Sequence, residues 1–307
     1  MRLVFAGHNP RGVSTLRALL EAGHEILLVL VHPPAASDPV EAAAHEAGIA
    51  VEASANINNP ALAERIGALA PEAVVLAGYG QIVQEPLLSL APHGCLNLHA
   101  GKLPEYRGSS PLNWVLINGE TEFTLSVTQL DAGVDTGDLL AEESFPIGPD
   151  DTIAELHRVA TEAFPRLLLG VLERLAAGTA RRRAQDSAAA AYYPLRFPED
   201  GLLLWDQLTA EQAHNRIRAL TDPYPGAFTF HGRRRLRVLA SRRAELPFHG
   251  EPGRVYRVTP SGLLVCAADR SLWLERVEEE TGADALATVA RYDRLVTTSW
   301  LALDALA

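Results

Sequence analysis

The first half of the chain alternates short apolar runs with longer segments in which apolar residues recur at helical spacing. The apolar runs are Leu3–Ala6, Ile26–Val31, Val74–Ala77, Cys95–His99 and Phe123–Leu130. The helical segments are Pro10–Gly23, Pro39–Ala47, Pro60–Leu69 and Thr152–Leu175. The near-continuous apolar character of the runs is typical of strands that are covered on both faces. Strands that alternate with helices indicate βαβ units, so the pattern predicts an α/β domain with a mostly parallel sheet.

Past Gly201 the pattern changes to short apolar runs separated by glycine and proline. One helical segment, Ala210–Leu220, precedes them. The runs are Ala227–Phe230, Leu236–Ala240, Gly253–Val258, Leu263–Ala267 and Leu272–Val277. Regular short strands with turn residues between them predict a small OB-like β-barrel. Residues 184–191 are small and low in complexity, which suits a linker or a short helix. We therefore expect an N-terminal domain over 1–183, a linker over 184–201 and a C-terminal domain over 202–307.

Composition narrows the class of protein. No apolar stretch approaches the ~20 residues of a membrane span, and the N-terminus lacks the features of a signal peptide, so we expect a cytoplasmic protein. The net charge of −11 argues against a protein that mainly coats nucleic acid, although arginine runs make the later part locally basic. Cys95 and Cys266 have no C-x-x-C partner, so neither a metal site nor a disulfide framework is indicated. Cys95 is expected to be a buried small side chain.

Two polar residues, Asn97 and His99, stand at alternate positions of one predicted strand. Residues two apart on a strand point to the same face, so the amide and the imidazole project together. The run breaks at Gly101 and Pro104. That break places the pair at the carboxyl end of a central parallel strand, where open α/β sheets bind their ligands.

Three aspartates follow: Asp131, Asp135 and Asp138. Their spacing does not show which one is the catalytic carboxylate, because Asp-Ala-Gly and Asp-Thr-Gly also form turns. An amide, an imidazole and a carboxylate are the groups needed to move a one-carbon acyl group onto an amine. An Asn NH₂ and an imidazole N–H can hold the oxyanion of a tetrahedral intermediate, each contributing about 3–4 kcal/mol in comparable sites. The carboxylate can accept the proton that the amine loses and can fix the histidine tautomer.

The segments around these residues resemble the folate-dependent formyltransferase family. The resemblance is carried by Asn97-x-His99, by Leu103–Gly108 and by Asp135–Asp138, and it covers essentially the whole chain. It implies a Rossmann-like domain without a bound dinucleotide, and Gly7–Gly12 indeed lacks the G-x-G-x-x-G spacing. It also implies 10-formyltetrahydrofolate as co-substrate and no metal. The catalytic trio that it implies is Asn97, His99 and Asp135.

The same resemblance assigns binding residues. The residues predicted to contact folate are Gly78, Tyr79, Gly80, Gln81, Ile82, Asp131 and Asp138. The residues predicted to contact the amine substrate are Lys102, Tyr106, Arg107 and Ser109. Lys102 and Arg107 could supply donors to a diphosphate. For Arg107, an internal pair with a carboxylate is an equal alternative, and Tyr106 could stack on a base or pack in the core.

The acceptor is predicted from two further segments. Ser110–Glu120 and Arg218–Phe228 resemble sugar-nucleotide N-formyltransferases, above all the formyltransferase half of the bifunctional enzyme acting on UDP-4-amino-4-deoxyarabinose. His32–Glu41, where tRNA-formylating members carry a basic insertion, holds no Lys or Arg. A loop without cations forgoes the phosphate contacts that dominate nucleic-acid affinity. We therefore expect a UDP- or dTDP-linked amino sugar, with methionyl-tRNA or another small-molecule or carrier-bound amine as alternatives. No membrane partner is expected, and a homodimer is left open.

Overall fold

The computed structural model describes residues 1–33 and 38–299. Its contacts divide the chain into two compact units. Unit 1 comprises Met1–Pro111, Phe123–Phe145 and His157–Pro194, and unit 2 comprises Leu112–Glu122, Pro146–Leu156 and Leu195–Ala307. The expected domain division at 183 and 201 stays a prediction. Within the described ranges, no helix is both long enough and apolar enough to cross a bilayer.

The strands and helices are numbered along the chain. The strands are β1 (Arg2–Gly7), β2 (Glu25–Val31), β3 (Val51–Ala53), β4 (Ala73–Ala77), β5 (Cys95–His99), β6 (Arg107–Gly108), β7 (Glu122–Gln129), β8 (Leu139–Pro146), β9 (Tyr192–Tyr193), β10 (Ala227–His231), β11 (Arg234–Arg243), β12 (Val255–Thr259), β13 (Gly262–Cys266) and β14 (Ser271–Glu279). The α-helices are α1 (Asn9–Glu21), α2 (Pro39–Glu46), α3 (Pro60–Ala68), α4 (Pro111–Ile117), α5 (Ile153–Ala176) and α6 (Ala210–Leu220). Short 3₁₀ turns occupy Leu87–Ser89, Ser187–Ala189, Pro198–Gly201 and Leu286–Thr288.

Unit 1 is built on a seven-stranded sheet of order β3-β2-β1-β4-β5-β7-β8. The strands β1 to β5 pair in parallel with one another, and β7 runs antiparallel to β5. Every residue of β4 is buried, as are the last five residues of β1, which is the pattern of strands covered on both faces. The predicted α/β fold with a mostly parallel sheet is confirmed.

The strand order reverses direction at β1. The chain builds β2 and β3 on one side of β1 and then crosses to place β4 and β5 on the other side. A doubly wound sheet opens a crevice at such a reversal, outside the carboxyl ends of the strands, and ligands bind there. The residues that follow β1, β4 and β5 therefore border the natural binding position of unit 1.

The helices of unit 1 begin where the sequence signals predicted. Pro10, Pro39 and Pro60 each lie in a first turn, where the missing N–H of proline costs nothing. The Asp38 carboxylate accepts from the Val40 N–H and caps α2. The observed helix bounds differ from the expected ones by one or two residues, because terminal turns fray.

Unit 2 contains a five-stranded antiparallel sheet of order β10-β11-β14-β13-β12. Isolated bridges join His231 to Leu295 and Arg254 to Arg294, so one late segment meets both edges of the sheet. The buried Trp205 indole donates to the hydroxyl of Thr229 at 2.9 Å. The fold predicted for this part of the chain, a small OB-like β-barrel, is confirmed as a small β domain whose sheet is antiparallel.

One short strand pair had no counterpart in the expectations. β6 pairs in parallel with β9, and the backbone N–H of Arg107 donates to the carbonyl of Ala191. Residues 184–194, the first part of the expected linker, therefore lie in unit 1 and pack onto the loop after β5. Two-residue strands carry no periodic signal, so the pattern could not predict them.

Candidate active site

Four polar side chains share one face of the sheet at the end of β5. Asn97 lies directly opposite Thr128 of β7, and His99 lies opposite Ser126. Opposed residues of an antiparallel pair bring their Cβ atoms to about 4.5–5.5 Å on the same face. The Ser126 hydroxyl donates to the carbonyl of Gly101 at 2.9 Å, which anchors the turn after the strand. The predicted pairing of Asn97 with His99 is therefore embedded in a wider polar patch.

His99 is nearly buried, and its hydrogen bonds fix its tautomer. Its Nε2 lies 2.7 Å from the backbone carbonyl of Tyr106. A carbonyl oxygen only accepts, so Nε2 carries the hydrogen and donates it. Nδ1 faces Asp135 Oδ1 at 3.6 Å. In the neutral ring Nδ1 is thus a lone-pair acceptor, and only the doubly protonated ring can donate from Nδ1 to an oxyanion.

Asp135 is the aspartate that the structure brings to His99. Its backbone has φ of 52°, a left-handed conformation that is rare for residues other than glycine. Its second carboxylate oxygen, Oδ2, accepts from the Gly108 N–H at 2.8 Å, so the carboxylate is held between two neighbours. The Asp131 carboxylate instead accepts from the Gly133 N–H and from the Thr136 hydroxyl within its own turn. Geometry thus ranks the aspartates where spacing could not.

Asn97 is half-buried, and its side-chain amide has no protein hydrogen-bond partner within 1–33 and 38–299. The Thr128 hydroxyl opposite it is fully buried and also lacks a partner within those ranges. Buried polar atoms are nearly always satisfied, by protein, by water or by a ligand. An amide left open beside His99 can donate to a bound carbonyl oxygen.

Cys95, on the same strand, is fully buried, and its thiol donates to the carbonyl of Leu87. Burial raises the pKa of the Cys95 thiol to about 12, with a smaller contribution from the charge of Glu85. The thiolate is the reactive form of cysteine, so this residue is chemically inert near neutral pH. It serves as a small core side chain, as expected.

The residues predicted to contact the amine substrate separate into exposed and buried groups. Lys102 is exposed and forms an ion pair of 2.8 Å with Glu105, and Ser109 is also exposed. Tyr106 is buried and stacks on Tyr193 with a centroid distance of 4.9 Å. For Tyr106, core packing is therefore the observed arrangement. Lys102 and Ser109 are the predicted contacts that remain accessible.

Arg107 is buried and turned inward. Its Nε and Nη2 donate to the amide oxygen of Gln185 at 3.0 and 2.8 Å, and its Nη1 donates to the Tyr192 hydroxyl at 3.0 Å. Three of its donor atoms are thus committed inside unit 1. The internal partners of Arg107 are thus an amide and a hydroxyl instead of a carboxylate, and its contact with substrate stays a prediction.

The loop after β4, predicted to contact folate, is held by aromatic and backbone contacts. Gly78 has φ of +70°, a conformation that favours glycine, and a Cβ there would lie 3.0 Å from Asn9 Nδ2. The Tyr79 ring stacks on His32 at 4.2 Å, and burial raises the pKa of Tyr79 to about 12. The Gly80 N–H donates to His32 Nε2. Tyr79 thus supports the loop from inside.

Gln81 and Ile82 complete that loop in opposite ways. The Gln81 amide accepts from the Ile57 N–H at 2.6 Å and donates to the Ser54 carbonyl at 2.9 Å. Its polar atoms are used within unit 1. Ile82, by contrast, is 59% exposed, which is high for a large apolar side chain. Of the two, Ile82 is the side chain that this loop leaves exposed, and its contact with folate stays a prediction.

A cavity of about 420 Å³ lies beside the turn that contains Asp131. Leu88 and Leu130 give it apolar wall, while Ser89 and Asp131 supply polar atoms. Ligand cavities are typically apolar with a few polar groups that fix orientation. Asp138, the last predicted folate residue, is half-buried, and its carbonyl accepts from the Gln129 N–H. No cluster of three His, Cys, Asp or Glu that could hold a metal occurs in the described ranges.

Two features of the site were missed by sequence reasoning. Gln185 bridges Arg107 and the Asp135 turn, but it stands in an alanine-rich segment without periodicity. At the end of β1, His8 Nδ1 lies 2.6 Å from Asp38 Oδ2, next to the crevice where the strand order reverses. The sequence could have indicated His8, because it directly follows the first strand and residues at that position border the crevice. The pairing with Asp38 joins residues 30 apart in sequence and had no signal.

Comparison with protein families gives two matches in sequence order. The family model described as Formyl transferase matches residues 3–172. The model described as Formyl transferase, C-terminal domain, matches residues 197–289. The first match contains all three members of the trio Asn97, His99 and Asp135.

Individual relatives agree with these matches. The chain is 36% identical over 288 residues to a methionyl-tRNA formyltransferase of Geobacter sulfurreducens, covering 91% of this chain and 90% of that protein. It is 38% identical over 289 residues to that of Solibacter usitatus, covering 91% of each. An N-formyltransferase of Helicobacter canadensis, solved with folinic acid and dTDP-3-aminofucose, has a TM-score of 0.68 at 17% identity and covers 89% of this chain and 98% of its own. At that identity the structural likeness concerns the fold alone.

Proposed function

We propose, from the premise that this chain belongs to the formyl transferase family, that it moves a formyl group from 10-formyltetrahydrofolate to a primary amine beside β5. The observation that carries the proposal is the approach of Asp135 Oδ1 to His99 Nδ1 at 3.6 Å, next to the open amide of Asn97. These three groups lie at the carboxyl end of a central strand, where doubly wound sheets bind ligands.

The folate co-substrate is proposed to bind beside the Asp131 turn, which leads on to Asp135 and His99. Its flat pterin has an apolar face and polar edges, and the cavity offers Leu88 and Leu130 with the backbone of the Asp131 turn. The co-substrate supplies the activated formyl group. Ile82, exposed on the loop after β4, adds apolar surface for the remainder of the molecule. Gly78 and Gln81, two other residues of this loop predicted to contact folate, support the shape of the loop.

Charge develops on the formyl oxygen when the amine attacks, and two donors are placed to meet it. The Asn97 NH₂ is uncommitted within the described residues. His99 donates from Nδ1 in its protonated form, while Nε2–H stays on the Tyr106 carbonyl. Asp135 stabilises that cation electrostatically across 3.6 Å. Each preorganised donor of this kind contributes about 2.7–4 kcal/mol to transition-state stabilisation.

The proton of the attacking amine passes to the Asp135 carboxylate. The amine forms the new C–N bond, the bond to the folate nitrogen breaks, and the proton leaves with that nitrogen. This division of roles requires both the Asp135 carboxylate and the His99 imidazole, so removal of either side chain should lower kcat/KM.

Methionyl-tRNA is the acceptor to test first. The relatives that cover 91% of the chain at 36% and 38% identity are methionyl-tRNA formyltransferases by name. This support ranks methionyl-tRNA, the alternative in the sequence-based expectation, above the amino-sugar nucleotide. An RNA acceptor would bring phosphate contacts, so its KM should rise steeply with salt concentration.

A nucleotide-linked amino sugar is the second candidate, and one observation favours it. Residues 32–41 contain no Lys or Arg, and residues 34–37 within that segment lie outside the described part of the chain. A cation-free loop is poorly suited to RNA. The Helicobacter canadensis structure contains dTDP-3-aminofucose, which supports the idea that this fold accepts such amines. Exposed Lys102 is the donor that would meet a diphosphate.

A competition assay separates the two acceptors. The purified chain is incubated with 10-formyltetrahydrofolate and either initiator methionyl-tRNA or a panel of UDP- and dTDP-amino sugars, and the products are measured by mass spectrometry. Formylated methionyl-tRNA, with salt-sensitive KM, supports the first candidate. Formylation confined to the amino sugars supports the second. Absence of transfer to any amine, with folate bound, would contradict the proposed function itself.

A further inference from the structure

The backbone of Asp135 is held in an unfavourable conformation by bonds from outside its own turn. Its φ of 52° belongs to the left-handed region, which a non-glycine residue adopts at an energetic cost. Gln185 Nε2 donates to the Asp135 carbonyl at 2.9 Å and to the Gly137 carbonyl at 2.7 Å. The Gln185 amide thus forms hydrogen bonds with the turn on both sides of Thr136. Both bonds are made to the turn in which the Asp135 carboxylate faces His99.

Arg107 fixes which end of the Gln185 amide faces the turn. The oxygen and nitrogen of a glutamine amide are close in shape, so neighbouring hydrogen bonds decide their assignment. Arg107 Nε and Nη2 both donate to Gln185 Oε1, at 3.0 and 2.8 Å. A guanidinium has no acceptor, so the amide oxygen must face it. The NH₂ group is then forced toward the two carbonyls of the Asp135 turn.

Burial and packing hold the Arg107 side chain in place. Arg107 is 3% exposed, and its Nη1 donates to the Tyr192 hydroxyl. Its backbone lies in β6, paired with β9, and the adjacent Gly108 N–H donates to Asp135 Oδ2. The same two-residue strand therefore reaches Asp135 twice, once through the Gly108 N–H and once through Arg107 and Gln185.

We propose that Gln185 is a positioning residue for Asp135, and that Arg107 acts by locking the orientation of its amide. The inference rests on the proposed function, since it assigns Gln185 a role through Asp135. The carboxylate must stay close to His99 Nδ1 while the amine attacks. A misplacement of about 1 Å at a reacting group can cost on the order of 10²-fold in rate.

The test variant is Gln185→Glu, which keeps an acceptor for Arg107 but removes the NH₂ donors. A carboxylate oxygen would then face the carbonyls of Asp135 and Gly137 and push the turn away. We expect kcat to fall about 10²-fold, with the folate KM and the Tm near those of the wild type. Gln207→Glu, the same change at an exposed glutamine of unit 2, is the control and should leave kcat unchanged.

Asp135→Asn, together with the wild-type chain, separates this inference from the proposed function. Loss of turnover in Asp135→Asn, with wild-type kcat in Gln185→Glu, overturns the positioning role alone. Wild-type turnover in Asp135→Asn overturns the role of Asp135 and the positioning role with it, whereas absence of transfer by the wild-type chain overturns the proposed function. If Gln185→Glu does not fold, the double variant Arg107→Met/Gln185→Met tests the positioning role instead. This double variant leaves no buried charge unpaired. Reduced kcat with retained folate binding supports the proposal there, whereas wild-type kcat, or failure of both variants to fold, overturns it.

Discussion

The imidazole of His99 has room beside the backbone because residue 101 is glycine. A Cβ at Gly101 would lie 2.8 Å from His99 Nε2 and 2.9 Å from the carbonyl oxygen of Tyr106. These are the two atoms of the hydrogen bond that sets the tautomer of the ring. At the scale of single residues, the chemistry of the site therefore depends on the absence of a side chain next to the strand end.

We predict that Gly101→Ala lowers kcat at least about tenfold, because the ring of His99 must move to make room. Overpacking of this kind typically costs about 1–3 kcal/mol of stability. Steady-state kinetics and urea denaturation measure the two effects. Gly67→Ala, inside α3, is the matched control. Its added Cβ would lie 3.6 Å from Leu90, an ordinary van der Waals distance, so this variant should keep the wild-type kcat. Wild-type kcat in Gly101→Ala would show that the ring position is not critical.

The sequence could predict the pairing of Asn97 with His99, because the two-residue period of a strand places both on one face. It could not predict the hydrogen bond of His99 Nε2, since the acceptor is the backbone of Tyr106 and backbone atoms carry no sequence signal. Arg107 shows the same limit. Its partner Gln185 is distant in the chain and lies in a segment of low complexity, so long-range folding alone brings them together.

At the scale of secondary-structure elements, the pair β6–β9 links the loop after β5 to residues 192–193. Gly108 makes this pairing possible. It has φ of +98°, and a Cβ there would collide with the backbone carbonyl of Tyr193. Backbone cannot move aside as a flexible side chain can. The short strand pair, and through it the Gly108 N–H on Asp135, thus requires glycine.

We predict that Gly108→Ala destabilises the protein by about 3 kcal/mol or more, from left-handed strain together with a backbone collision. Gly232→Ala is the control, because Gly232 also has a positive φ of +59° but nothing lies within 4 Å of its added Cβ. That variant should lose only about 1–2 kcal/mol, the left-handed penalty alone. Denaturant titration of both variants gives the comparison. Equal losses would mean that the β6–β9 contact tolerates a side chain.

Most of the longer elements were predicted, but the eight-residue edge strand β8 and the shortest strands were not. β4, β5, α3 and α6 follow apolar periodicity and proline or capping signals, and their observed bounds agree closely with the expected ones. β3, β6 and β9 have three or two residues, too few for a period to appear. Their pairing is decided by neighbours that are remote in the sequence.

At the scale of the whole molecule, buried and partly buried histidines make the folded state sensitive to acid. The pKa of His157 is lowered to about 4 from an ordinary 6.5, first by burial and then by the charge of Arg11. Burial is also the leading cause that lowers the pKa of His24, His32 and His214. Each of these groups binds a proton more weakly in the folded than in the unfolded state, so protonation favours unfolding.

We predict that stability is retained above pH 6.5 and is lost as the pH falls toward 4. His157 alone contributes at most about 3 kcal/mol of this loss, at about 1.4 kcal/mol for each unit by which its pKa is lowered. Urea denaturation at pH 7, 5.5 and 4.5 measures the slope. His157→Gln should flatten it, because the substituted side chain does not titrate. An unchanged slope in that variant would refute the assignment.

The account depends most on the role of His99 beside Asn97 and Asp135. The direct measurement is single-turnover formyl transfer by His99→Ala to the amine that the wild-type protein accepts, together with the dissociation constant for 10-formyltetrahydrofolate. We predict a rate lower by about 10²–10³-fold, with folate affinity within about twofold of the wild type. Transfer at the wild-type rate would contradict the account, because the imidazole would then take no part in the reaction.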